Sequence, residues 1–376
     1  MKIGQLNAEV LERNISRRIT DDIRHNRVGA AAVAVLQHGQ MVYSDTFGQQ
    51  TPNGREPLRK DAVFRIASMT KPITAIAVLL QAQSGKLKLE DEVAMYLPQY
   101  ARIRLAESNG YCMTPLRIWH LLTHTSGMET NQIYKDWTRQ MPMEVKRSLA
   151  KSVDFYATLP VAYEPGTKRR YSGRVAFDIL GRIVELTSEM SFEDYIHERI
   201  FVPCGMVDTT FAPTPDQWSR VVGMHDFKDG VSVTSDTIPG CVVDDIPPTH
   251  PLCGSGLIST LTDYVKFAQM LLNRGMTENG RILEPVWIEQ MATAKLPVEL
   301  MSEEVNQGLG VRVITGDGYP WLPVGTFGWS GAYGTHFWVD PTNEIVSVYM
   351  KNSRYDGGSG AQTAKNFEED VFRSIC

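Results

Sequence analysis

The chain has 376 residues, of which 43% are hydrophobic, 22% charged and 9% aromatic. That composition excludes a disordered, collagenous or coiled-coil chain, and the length predicts two structural units or one large unit with an insertion. With 38 Lys+Arg against 43 Asp+Glu the formal charge is −5, which argues against a nucleic-acid or anionic-membrane partner.

The first residues contain no apolar core of the kind a secretory leader needs. The apolar runs 28–36 and 73–80 are about half the ~20 residues that span a membrane. Five cysteines (Cys112, Cys204, Cys241, Cys253 and Cys376) are odd in number, widely spaced and without a CxxC pair. They predict unpaired thiols and a cytoplasmic protein. Residues 10–27 carry apolar positions at helical spacing. Runs 30–36 and 41–47 read as strands joined through Gln37-His38-Gly39-Gln40, a hairpin signal. Residues 63–66 read as extended and 69–83 as a helix ended by Ser84-Gly85. From 86 to 250, helical pieces (116–122, 144–157, 174–186) alternate with loops rich in Pro and Gly. A helix at 262–272 precedes strands at 309–314, 335–339 and 345–350, and a helix at 364–375 closes the chain. Strands near both ends with helices between predict an α/β (α+β) fold: a mixed, mostly antiparallel sheet flanked by helices, built from 1–85 and 251–376. Residues 86–250 form an inserted, mostly helical domain, with the site in the cleft between.

Several familiar sites are missing. Gly328-Trp329-Ser330-Gly331-Ala332 misses a nucleophile elbow by one glycine, and no HExxH, P-loop or dinucleotide fingerprint occurs. His120 and His124 have a spacing that could present two imidazoles to a metal, but no third ligand follows. They read as histidines serving backbone groups in a turn from helix to loop, and no metal or organic cofactor is expected.

Ser68-Met69-Thr70-Lys71 carries the chemistry. On the first turn of a helix, positions i and i+3 share a face, so the lysine amine reaches the serine hydroxyl. Serine is a weak nucleophile until a base takes its proton, and a lysine sheltered from water can serve as that base. A helix N-terminus adds N–H groups suited to an oxyanion. A second SxxK, Ser148 to Lys151, falls within the helix expected at 144–157, where its lysine is expected to be solvated.

Tyr171 follows a Pro165-Gly166 turn. In isolation such a tyrosine packs, but beside an ammonium a phenol can pass a proton to a leaving group. Lys168, Arg169, Arg170 and Arg174 surround it and read as a solvated surface cluster, with carboxylate recognition as the alternative. Finally, Trp329-Ser330-Gly331-Ala332 precedes a strand. Its glycine would let a substrate carbonyl approach the backbone, and the Ala332 N–H would complete an oxyanion hole with that of Ser68.

Four ordered motifs resemble the serine β-lactamase and penicillin-binding-protein superfamily. They are Phe64 to Lys71, His120 to Gly127, Glu164 to Ser172, and Ile200 to Met206 followed by Asp208-Thr209. The match is nearest to class C-like members, the family VIII carboxylesterases and related acyltransferases, and runs from about 28 to 350. The resemblance implies Ser68 as the acylated nucleophile and Lys71 with Tyr171 as the proton-transfer pair. Two departures argue against efficient β-lactam hydrolysis. Gly173 stands where an asparagine amide is usual, and Trp329 stands in place of the cation that holds a substrate carboxylate. Trp329-Ser330-Gly331 is a variant of esterase-like third motifs and suits an uncharged group beside the indole. The expected activity is therefore hydrolysis of small carboxylic esters. An amidase, D-aminopeptidase or acyltransferase on the same machinery is the first alternative, with Glu129 as a candidate ligand for a substrate amine, although it reads first as a solvated loop carboxylate. A sensor acylated once at Ser68 is the second.

Overall fold

Residues 30–36 are apolar without a break because the strand they form is buried on both faces. In the computed structural model the elements that frame the site are, in chain order, helix α1 (Ala8–Arg24), strands β1 (Ala30–Gln37), β2 (Gln40–Gly48) and β3 (Val63–Arg65), and helices α2 (Thr70–Gln83), α3 (Ile118–Leu122), α4 (Leu149–Ala157) and α5 (Val175–Ser188). Strand β4 (Ile258–Thr260), helix α6 (Leu261–Leu272), strands β5 (Val305–Gln307), β6 (Arg312–Ile314), β7 (Phe327–Ser330), β8 (His336–Asp340) and β9 (Ile345–Met350), and helix α7 (Gln362–Arg373) follow. All residues are described except 1–3, 53, 109, 130–135, 137–139, 229–230, 235–249, 354–355 and 359.

The fold is mixed α/β, built on a seven-stranded antiparallel sheet of order β2-β1-β9-β8-β7-β6-β5. The β1–β2 hairpin turns through His38 (φ 51°) and Gly39 (φ 72°), the left-handed pair that a two-residue hairpin requires. Along β1, Ala31, Val33 and Val35 join Leu11 and Ile15 of α1 and Phe367 and Val371 of α7 in one core. Ala30, Ala32 and Ala34 face the other core, which holds α2, α5 and α6.

Most expected elements are present with ends shifted by a few residues. The helix expected over 144–157 is interrupted: a short turn at Met143–Lys146 ends, and α4 begins after Ser148. Ser148 is the N-cap of α4, its hydroxyl accepting from the Lys151 N–H at 3.3 Å. It is therefore not a mid-helix residue, and Lys151 is exposed. The strand expected from 309 starts only at Arg312, since Gly310 adopts φ +74°. Strand β5 and the strand character of β7 were not expected. Cys112, Cys204, Cys253 and Cys376 are free thiols, while Cys241 lies outside the described residues. Among the described residues no helix is long and apolar enough to cross a membrane.

Candidate active site

Strand β3 turns into α2 through the four residues 66–69, and Ala67 absorbs the turn at φ +44°. That left-handed conformation is costly for a residue with a Cβ and persists only where the surroundings hold it. They do so here. Asn352 accepts from the Arg65 N–H at 3.0 Å and donates to the Arg65 carbonyl at 3.0 Å. The Thr335 hydroxyl donates to the Ile66 carbonyl at 3.1 Å, and the Tyr264 phenol donates to the Met69 carbonyl at 2.8 Å. Ser68 thus sits in a 3-10 turn (Ala67–Met69) leading into α2, and Lys71 is the second residue of the helix.

Lys71 is fully buried. Its Nζ donates to Ser68 Oγ at 3.2 Å, to the Gly173 carbonyl at 2.5 Å and to the Gly254 carbonyl at 2.8 Å. Three acceptors match the three donors of an ammonium group. The segment carrying Gly254 is fastened to α2 by Thr74, which donates to the Cys253 carbonyl at 2.6 Å, and by Thr70, which accepts from the Leu257 N–H at 3.2 Å. From the other side the Tyr171 phenol donates to Ser68 Oγ at 2.6 Å, its ring centroid 4.9 Å from Lys71 Nζ. Ser68, Lys71 and Tyr171, expected from sequence to act together, are brought into one hydrogen-bonded cluster. Among the described residues, the N–H groups of Ser68 and Ala332 have no backbone acceptor.

The cluster opens into a cavity of about 390 Å³ walled by Ser68, Tyr171, Met301, Val305, Trp329 and Ala332. Trp329 stacks on His124 at 5.7 Å between centroids, and His124 packs against Tyr171 at 4.7 Å. Gly331 has a different reason from the one expected. A Cβ there would lie 2.5 Å from the Ile66 carbonyl oxygen, so the glycine lets the end of β7 press against the turn before Ser68. The Ile200 to Met206 and Asp208-Thr209 motif lies off this cavity. Asp208 N–H and Thr209 Oγ1 donate to Asp263 of α6 at 2.7 and 2.9 Å.

The two histidines serve backbone groups. His120 Nδ1 accepts from the Arg117 N–H at 3.0 Å, at the start of α3, and His124 Nδ1 from the Ser172 N–H at 3.3 Å. His124 adopts φ +59°, past the end of α3, and its carbonyl accepts from the Arg170 N–H at 3.0 Å, which holds the Tyr171 loop. Among the described residues no group of three or more potential ligands could hold a metal ion. Glu129 is neither a solvated loop carboxylate nor a free ligand for an amine. It accepts from Ser172 Oγ at 3.0 Å and from the N–H groups of Arg174 and Val175 at 2.8 and 3.0 Å, capping the positive end of α5. The basic cluster divides: Lys168 and Arg170 are exposed, Arg174 pairs with Asp178 at 3.3 Å, and Arg169 lines the cavity.

One network escaped the sequence reading. Ser330 Oγ lies 2.8 Å from His336 Nδ1, and His336 Nε2 lies 3.0 Å from Glu368. Arg312 and Tyr319 donate to the same carboxylate, both at 2.9 Å. Burial opposes ionisation of Glu368, but the hydrogen bonds from His336 and Arg312 hold its carboxyl down at about 2.

Burial also pushes His120 and His225 down to about 4. Their folded values lie below the ordinary 6.5, so the unfolded chain binds more protons between pH 6.5 and 4. Stability is therefore expected to fall by up to about 6–7 kcal/mol (about 1.4 per pKa unit per group, two groups) as pH drops through that window. Glu368 extends the loss below about 4.5 toward 2. Thermal melts between pH 7 and 4 measure this, and a His120→Asn chain should show a shallower slope above pH 4. An equal slope would place the proton uptake elsewhere.

The Beta-lactamase family profile matches residues 12–368, and the chain belongs to that family, on a fold shared with hydrolases. It is 29% identical to an uncharacterized protein of Mycobacterium tuberculosis (strain CDC 1551 / Oshkosh), covering 86% of this chain and 85% of that one. It is 26% identical to esterase EstB of Burkholderia gladioli over 95% and 94% of the two chains. The structure of EstCE1, described as a hydrolase with promiscuous acyltransferase activity, superposes with a TM-score of 0.82 at 21% identity, covering 97% of this chain and 99% of that chain.

Proposed function

We propose that this protein is a serine esterase that cleaves small carboxylic esters through an acyl-enzyme on Ser68. The observation that carries the reading is the Ser68 hydroxyl held between the Lys71 ammonium and the Tyr171 phenol at the mouth of a largely apolar cavity. In the reacting form Tyr171 acts as the phenolate beside the Lys71 ammonium: as the Ser68 Oγ–carbonyl bond forms, the Ser68 proton passes to that phenolate, and the oxyanion is taken by the N–H groups of Ser68 and Ala332. The ester C–O bond then breaks and Tyr171 returns the proton to the leaving alkoxide. Water repeats the sequence in reverse and frees the acid. Lys71, with its three donors matched, keeps positive charge beside the reacting oxygen. Neutral Trp329 where a cation would hold a β-lactam carboxylate supports an ester over a β-lactam. The kinship with EstB supports the same choice.

We also assign residues 1–85 and 251–376 to one unit and 86–250 to an inserted one. This is supported by a sheet drawn only from the first and by Gly173 and Gly254 approaching Lys71 from the two segments. The free thiols support a cytoplasmic location.

The test is a progress curve of p-nitrophenol release from short-chain p-nitrophenyl esters. Sustained release by the wild-type chain, with an acyl group trapped on the Ser68 peptide after rapid acid quench, is expected. A burst of one equivalent and then silence would mean a once-acylated sensor. No release from esters, with turnover of the matching anilides, would make it an amidase.

A further inference from the structure

Arg169 is the one residue of the basic cluster that lines the cavity, and the scheme above gives it no task. It lines the same cavity as Ser68 and Trp329. The cavity has a second guanidinium, Arg312, but that one is neutralised by Glu368 at 2.9 Å. Arg169 has no carboxylate partner among the described residues. Its contact is a neutral one, Nη2 donating to Gln307 Oε1 at 3.0 Å, and its Nε–H is buried with no partner. Desolvation weighs against its charged form, and the phenols of Tyr171 and Tyr163 offset it only in part.

Gln307 is built to hold it. The carboxamide is fully buried on β5, its Nε2 donating to the carbonyls of Gly308 at 3.2 Å and Val311 at 2.8 Å, so Oε1 is fixed toward Arg169. A half-buried guanidinium held in place by a neutral acceptor, with its Nε–H buried and unmatched, carries a desolvation cost that an incoming anion recovers. A planar fork of that kind favours carboxylate geometry. The leaving group does not fill the cavity in this scheme. Tyr171, which protonates it, is 42% exposed, so the alcohol side faces solvent and the acyl side occupies the cavity.

We infer that Arg169 is a specificity-determining residue that binds a carboxylate at the far end of the acyl chain, so that the favoured substrates are monoesters of dicarboxylic acids. This rests on the esterase reading and refines its substrate class. Trp329 still meets the uncharged part of the acyl chain, with the cation on another wall.

The experiment compares p-nitrophenyl hydrogen glutarate with its neutral isostere, p-nitrophenyl 4-carbamoylbutanoate, in the full chain and in Arg169→Gln and Arg169→Glu. The ratio of the two kcat/KM values is taken within one preparation, so any loss of folded protein cancels. Wild type is expected to favour the carboxylate ester by about tenfold, mainly through KM, the scale of one charged hydrogen bond. Arg169→Gln should bring the ratio near one, and Arg169→Glu should push it below one. A wild-type ratio near one, or a ratio kept in Arg169→Gln, overturns the inference while leaving the esterase reading standing. So does an equal fall for both esters in Arg169→Gln, which would make Arg169 a positioning residue for Tyr171. Silence toward both esters overturns the esterase reading, and the inference with it.

Discussion

Replacing Ser68 with alanine is expected to lower ester turnover by about a thousandfold to a millionfold, the range seen when an acyl-transfer nucleophile is removed. The residue left should be measurable, because the backbone donors at Ser68 and Ala332 and the cavity survive the change. Stability should shift little. Only one hydroxyl is lost, and Lys71 keeps the carbonyls of Gly173 and Gly254 as acceptors. The control is Ser148→Ala, which removes the N-cap of α4. It should cost about 1 kcal/mol of stability and no activity. Paired p-nitrophenol assays and thermal melts separate the two. A Ser68→Ala chain with near-normal turnover would end the scheme, whatever its stability.

Lys71→Met is expected to lower kcat by about a hundredfold to ten-thousandfold and, unlike the serine change, to destabilise the fold. Methionine fills a similar volume but donates nothing, so the carbonyls of Gly173 and Gly254 are left buried and unmatched. Each orphaned acceptor costs on the order of 1–3 kcal/mol. Lys71→Arg is not expected to restore the rate, because a planar fork does not fit three acceptors arranged around a point charge. The informative comparison is with Tyr171→Phe, which keeps the ring against His124 and loses only the phenol that donates to Ser68. A lower melting temperature for Lys71→Met alone, with reduced turnover in both, distinguishes a buried structural cation from an exposed proton carrier. Equal melting temperatures would show that the ammonium is not what holds the three segments together.

Features that depend on local pattern were legible in the sequence. The β1–β2 hairpin announces itself by an unbroken apolar run and His38-Gly39, and Ser68-Lys71 by its place between an extended segment and an uncharged helix. Tyr171 was legible from its motif. What was missed depends on residues brought together from far apart. Ser330, His336 and Glu368 come from β7, β8 and α7 and share no spacing. The available signal was Glu368 lying next to Phe367 and three residues before Val371 on a helix whose apolar face is buried. Glu129 was misread because its partners are backbone N–H groups 45 and 46 residues further on. Strand β5 is short and polar at Asn306 and Gln307, so no alternation marks it. Arg169 sat among exposed basic residues, and composition could not separate one inward guanidinium from its solvated neighbours.

The register of the sheet has a consequence for how the chain is made. Strand β1 pairs with β9, Ala32 opposite Met350, so the apolar hairpin leaves the ribosome long before its partner exists. At about 5–20 residues per second the intervening stretch takes roughly 15–60 s to synthesise, far longer than a hairpin or helix needs to form. During that interval β1 exposes a free apolar edge of the kind that templates aggregation. Until β9 arrives, that edge is the part of the newborn chain where pairing with another chain is easiest.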